Sequence, residues 1–137
     1  MKPSLASGIE STRRITVDTA RTIGFMGEEG RVYSTPDLLR DIEMTCRDLL
    51  LAHCDPGEDS VGTFVELRHL AATPLGLEVE LTARVASVDG RQVRFEITGK
   101  DASDTICKAV HDRFVVDTAK TLQRLQAKRA AASEKAG

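Results

Sequence analysis

Thr35-Pro36-Asp37-Leu38-Leu39-Arg40-Asp41-Ile42-Glu43-Met44-Thr45-Cys46 is the stretch on which the fold turns. A hydroxyl, a proline and an acid in succession make a helix start. The Thr35 hydroxyl can cap a free N–H, proline's fixed φ suits the first turn, and Asp37 meets the positive end of the helix dipole. The spacing predicts a helix from Thr35 to about His53, stopped by Asp55-Pro56-Gly57. Ahead of it, Arg13 to Asp18 reads as a short strand with Ile15 and Val17 on one side, and 20–34 reads as a loop with at most one turn of helix.

Behind it the period changes from that of a helix to two. Ser60 to Ala72 alternates and ends at Thr73-Pro74-Leu75-Gly76. Leu77 to Val88 sets Leu77, Val79, Leu81, Ala83 and Val85 against Glu78, Glu80, Thr82 and Arg84. Asp89-Gly90 is a hairpin signal, Arg91 to Lys100 returns, and a polar turn at 101–104 leads into Thr105 to Asp117. Strand, long helix, then four antiparallel strands predicts an α+β domain over 12–118. In it a five-stranded antiparallel sheet curls around a long central helix. Residues 1–11 read as a flexible N-terminus. Residues 119–137 read as a C-terminal helical segment that frays, since Leu122 and Leu125 are almost its whole apolar face.

Composition narrows the function classes. A chain of 137 residues makes one core, and a net charge of -2 gives no general affinity for nucleic acid. The absence of tryptophan removes the usual base-stacking platform. No apolar run reaches the roughly 18 residues of a membrane span. Cys46, Cys54 and Cys107 are odd in number and lie in apolar segments, which suits a reducing cytoplasm. With His53 they lack metal-ligand spacing, so no metal is expected.

Two polar residues sit in apolar company. Period-2 spacing places His69 on one strand face with Val61, Thr63, Val65 and Leu67, and Glu43 is flanked by its helix's buried stripe. A buried carboxylate and a buried imidazole are each costly alone and less so together, so a Glu43–His69 pair is the expected seat of chemistry. The plain alternatives are a Glu43–Arg47 ion pair at i+4, a satisfied core histidine, a cap at Thr35 and a bulge at Gly62.

Across roughly 13–117 the chain resembles the fluoroacetyl-coenzyme A thioesterase family of hotdog proteins. The likeness rests on Ser34-Thr35 with Glu43, Ser60-Val61-Gly62-Thr63, His69 followed by Ala71-Ala72-Thr73-Pro74-Leu75-Gly76-Leu77, Val88-Asp89-Gly90-Arg91 and His111-Asp112-Arg113. It implies a hotdog fold, usually dimeric, and a catalytic triad at Thr35, Glu43 and His69. It further implies substrate contacts at Gly62 and Arg113, and an acyl-CoA substrate whose coenzyme A is the only cofactor involved. The family's aromatic lid positions fall on Met26 and Glu29. A charged Glu29 is a poor cover for a small fluorinated acyl group, so hydrolysis carries over better than strict fluoroacetyl specificity.

Glu43 would attack the thioester or activate water, His69 would protonate the leaving thiol, and backbone N–H groups near Gly62 would hold the oxyanion. Thr35 and Glu43 lie about 12 Å apart along one helix at 1.5 Å per residue, so a homodimer is expected to complete the site. Three other readings compete. One is a non-catalytic acyl-CoA-binding module. Another is an enoyl-CoA hydratase using Asp48 and His53, which would point about 140° apart on the helix. The last is a purely structural dimer.

Overall fold

A computed structural model describes residues 1–136. Among them the order is β1 (Glu10–Thr16), β2 (Thr22–Ile23), β3 (Val32–Tyr33), α1 (Thr35–Leu51), β4 (Glu58–His69), β5 (Glu78–Asp89), β6 (Gln92–Lys100), β7 (Thr105–Asp117) and α2 (Thr118–Ala136). Five strands form one antiparallel sheet in the order β1-β5-β6-β7-β4. The long helix α1 packs across its inner face, touching β1, β5, β7 and β4. This is the hotdog arrangement the sequence predicts.

Helix α1 starts where expected but with a different cap. Ser34, not Thr35, is the N-cap: its side-chain oxygen accepts from the Asp37 N–H at 3.2 Å. Thr35 is the first helical residue, so its hydroxyl is left free for another partner. From there Leu38, Ile42, Cys46, Leu49 and Leu50 bury one stripe against Val79, Leu81, Val85, Val93 and Phe95 of the sheet. Each such side chain contributes about 1.5–3 kcal/mol on burial. Asp41 shares the stripe and is buried because Tyr33 donates its hydroxyl at 2.5 Å and Arg21 its Nε at 2.8 Å.

The 20–34 segment is more ordered than a loop. It holds single 3-10 turns at Thr19–Arg21 and Glu28–Gly30, and β2 pairs with β3. Two residues per strand leave no period for sequence reading to detect. Ahead of β1, the Met1 ammonium reaches Asp55 at 2.6 Å and Glu58 at 2.5 Å, while Leu5 and Ile9 pack on the core. No described helix is long and apolar enough to cross a membrane.

One strand departs from its predicted pattern. The β4–β7 register runs Gly62 opposite Arg113, then Phe64 opposite Asp112, so Thr63 is the extra residue of a bulge. The alternation therefore flips. Val61 lies on the outer face with Phe64, whereas Val65, Leu67 and His69 face α1. The single face read from the sequence is really two half-faces, and the bulge brings Gly62 onto the inner side opposite Arg113.

Packing is tightest at Gly99 in β6. A Cβ there would lie 2.5 Å from Cys107 Sγ and 2.9 Å from Leu81 Cδ2, both in the core. Gly99→Ala is expected to cost about 1–3 kcal/mol through overpacking. Urea unfolding would read this as a lower midpoint at unchanged slope.

Candidate functional site

The predicted site residues fall into two groups along β4, one at its C-terminal end and one over its middle. At the C-terminal end, the Thr35 hydroxyl freed by Ser34 lies 2.8 Å from His69 Nδ1. The other imidazole nitrogen, Nε2, is buried with no hydrogen-bond partner in the described chain. Burial lowers the pKa of His69 below its ordinary value, and the Ala71 backbone pulls the other way. A cleft of about 330 Å³ opens beside this pair. Ile23, Val32, Leu70, Ala71 and Ala72 make its walls apolar.

Over the middle of the strand, Glu43 projects from the middle of α1 above the β4 bulge. Its side chain is 37 % exposed, less buried than the sequence suggests, and its Oε2 lies 3.8 Å from Arg113 Nη1. It does not pair with Arg47, which binds Asp59 through two bonds of 3.0 and 2.7 Å. Nor does it meet His69, which pairs with Thr35 at the C-terminal end of β4. Gly62 leaves the space beneath the carboxylate open, since a Cβ there would lie 3.5 Å from Glu43 Oε2 and 3.1 Å from His111 Cε1. A second cleft, about 240 Å³, is lined by Glu43, Gly62, Thr63, Phe64, Val65 and His111.

Arg113 is 3 % exposed. Its Nε donates to Ser60 Oγ at 2.7 Å, Nη2 to the Ser60 carbonyl at 2.9 Å, and Nη1 to His111 Nε2 at 3.1 Å. Sequence reading named His111 only as part of a motif and gave Ser60 no role. The signal was present, because His111 and Arg113 interrupt the inward series Cys107, Ala109, Val115 of β7. Met26 and Glu29 are exposed in the segment that joins Ile23 and Val32 of the first cleft, and neither is among the residues lining the two clefts. Asp48 bonds Arg13 and His53 bonds Ser4, so the hydratase pair is not assembled.

A curled sheet around one helix, with an imidazole at the end of the edge strand and a carboxylate over its middle, defines a hotdog protein with polar chemistry at its open edge. The family model described as fluoroacetyl-CoA-specific thioesterase matches residues 17–119. The fluoroacetyl-CoA thioesterase of Streptantibioticus cattleyicolor is 30% identical over 123 residues, 85% of this chain and 88% of that protein. Among solved structures, the fluoroacetyl-CoA thioesterase FlK superposes with a TM-score of 0.82 at 28% identity, over 91% of this chain and 98% of its own. A hypothetical protein of Thermus thermophilus, a thioesterase superfamily member, gives a TM-score of 0.83 at 26% identity, over 96% and 99%. The chain belongs to the fluoroacetyl-CoA-specific thioesterase family.

Proposed function

We propose that this protein hydrolyses small acyl thioesters of coenzyme A, in a site shared between two copies of the chain. The observation that carries the reading is the Thr35–His69 pair: an imidazole fixed through Nδ1, with a buried Nε2 that has no partner among the described residues, beside an apolar cleft. With His69 Nδ1–H donating to the Thr35 hydroxyl, Nε2 carries a lone pair that takes up a proton from solvent or the attacking water, and the imidazolium so formed passes it to the departing thiolate. Glu43 delivers the attack, either as nucleophile to give a mixed anhydride or as base for a water. Backbone N–H groups at the Gly62 bulge take the oxyanion.

A dimer follows from where these groups sit. Strand β4 is an edge of the sheet, with Gly62 near its middle and His69 at its C-terminal end. Two β4 edges paired antiparallel about a two-fold axis centred between these positions would set the Gly62–Glu43 group of one copy beside the Thr35–His69 group of its partner. Each dimer then holds two complete sites.

The apolar cleft suits a short uncharged acyl group. Met26 and Glu29 remain candidates for its outer rim, with Glu29 weakening any strict preference for a fluorinated acyl. Thiol release from a panel of acyl-CoA esters, from acetyl and fluoroacetyl to medium-chain and aryl, tests the reading. Turnover on short acyl groups is expected. No turnover on any ester, with coenzyme A still bound, would replace hydrolysis by acyl-CoA binding alone.

A further inference from the structure

The inner face of β7 is apolar except at His111 and Arg113, and both lie under Glu43. Burying a guanidinium and an imidazole costs several kcal/mol unless every polar atom is engaged. Here nearly every one is. The Phe64 carbonyl can only accept, so the contact of 2.8 Å from His111 Nδ1 places a proton on that nitrogen. His111 Nε2 then carries a lone pair, and it accepts from Arg113 Nη1. Burial, with Arg113 adding to it, pushes the His111 imidazole below its ordinary pKa against an opposing pull from the Phe64 carbonyl, in keeping with this neutral form.

The ring is 1 % exposed and stacks on Phe95 with centroids 6.5 Å apart. Neither nitrogen is free to exchange a proton with a substrate. Arg113 is fixed on three sides, by the Ser60 hydroxyl, the Ser60 carbonyl and His111. Two hydrogens remain, one on Nη1 and one on Nη2, and Glu43 lies on the Nη1 side with its Oε2 3.8 Å from that nitrogen.

We infer that His111 and Ser60 are positioning residues that lock the Arg113 fork so that it aims Glu43 across the Gly62 gap. Arg113 therefore acts on the carboxylate from beneath instead of gripping coenzyme A. The inference rests on Glu43 being the working carboxylate of the proposed hydrolysis. It makes β7 part of the catalytic geometry although none of these three side chains touches the acyl group. Phenylalanine at position 111 keeps the ring but removes both bonds. Glutamine can restore them, because its amide nitrogen donates and its oxygen accepts at a similar separation.

The test compares wild type with His111→Phe, His111→Gln and Ser60→Ala, each checked for folding, using the best acyl-CoA ester. His111→Phe should lower kcat about 10- to 100-fold, the scale of a misplaced catalytic group, with KM changed less than about twofold. His111→Gln should recover most of the loss, and Ser60→Ala should lower kcat alone by a smaller factor. An unchanged kcat in His111→Phe, or a loss carried by KM, overturns the inference. Should His111→Phe not fold, Ser60→Ala decides alone: kcat lowered at constant KM supports the inference and unchanged kinetics overturns it.

A wild type inactive on every ester would mark failure of the hydrolase reading, not of the positioning. The positioning is then read by nitrogen NMR of His111. A neutral ring protonated on Nδ1 at about pH 6 supports it, and a ring carrying both protons there overturns it.

Discussion

Glu43→Gln is expected to lower turnover by about two to four powers of ten, the range for removing a group that accepts a proton or attacks in the transition state. The amide keeps the shape of the side chain and removes the charge. Stability should change little by comparison, because the carboxylate is more than one-third exposed and its only ion-pair partner among the described residues is 3.8 Å away. Arg113 keeps three hydrogen bonds without it. Loss of kcat with a nearly unmoved thermal midpoint is therefore the expected signature. Equal loss of activity and of folded protein would mean that Glu43 is a structural residue.

His69→Ala is the second large effect. It removes Nε2, the atom placed to protonate the leaving thiolate, and a fall in kcat of about 10²–10⁴ is expected. The dependence on leaving group separates this role from simple binding. Aryl thioesters, whose thiolates leave without help when the thiol itself is acidic, should lose less than alkyl thioesters in the variant. A uniform loss across thiols would remove the proton-donor role from His69. Thr35→Ala should cost much less, because the hydroxyl only orients the ring through its contact at 2.8 Å.

Most of the architecture was legible because the periods were strong. The alternation of Val79, Leu81, Ala83 and Val85, the Asp89-Gly90 turn and the helix start at Ser34-Thr35 each specify local structure, and the sheet and α1 follow from them. Three features were not legible for physical reasons. The bulge at Thr63 breaks a period without any residue that announces it, so Val61 was assigned the wrong face. Adjacent hydroxyls at 34 and 35 compete for one cap, and only geometry shows that Ser34 takes it and frees Thr35 for His69.

The third concerns Glu43 and His69. A cost argument can say that two buried polar groups need partners, but it cannot say which partners. Glu43 found Arg113 and His69 found Thr35, so the chain satisfies each locally. In the proposed dimer the two groups meet between two copies instead of within one. The family resemblance placed the functional positions in register but carried no distances, and only the distances reveal the division.

Subunit complementation tests that division most directly. Glu43→Gln and His69→Ala proteins, each nearly inactive, would be mixed in equal amounts and allowed to exchange subunits. Random pairing makes half of the dimers mixed, and each mixed dimer contains one site with both native groups. Recovery of about a quarter of wild-type activity is therefore predicted. A mixture that stays as inactive as its components, with exchange confirmed by native mass spectrometry, would contradict a site shared between two copies.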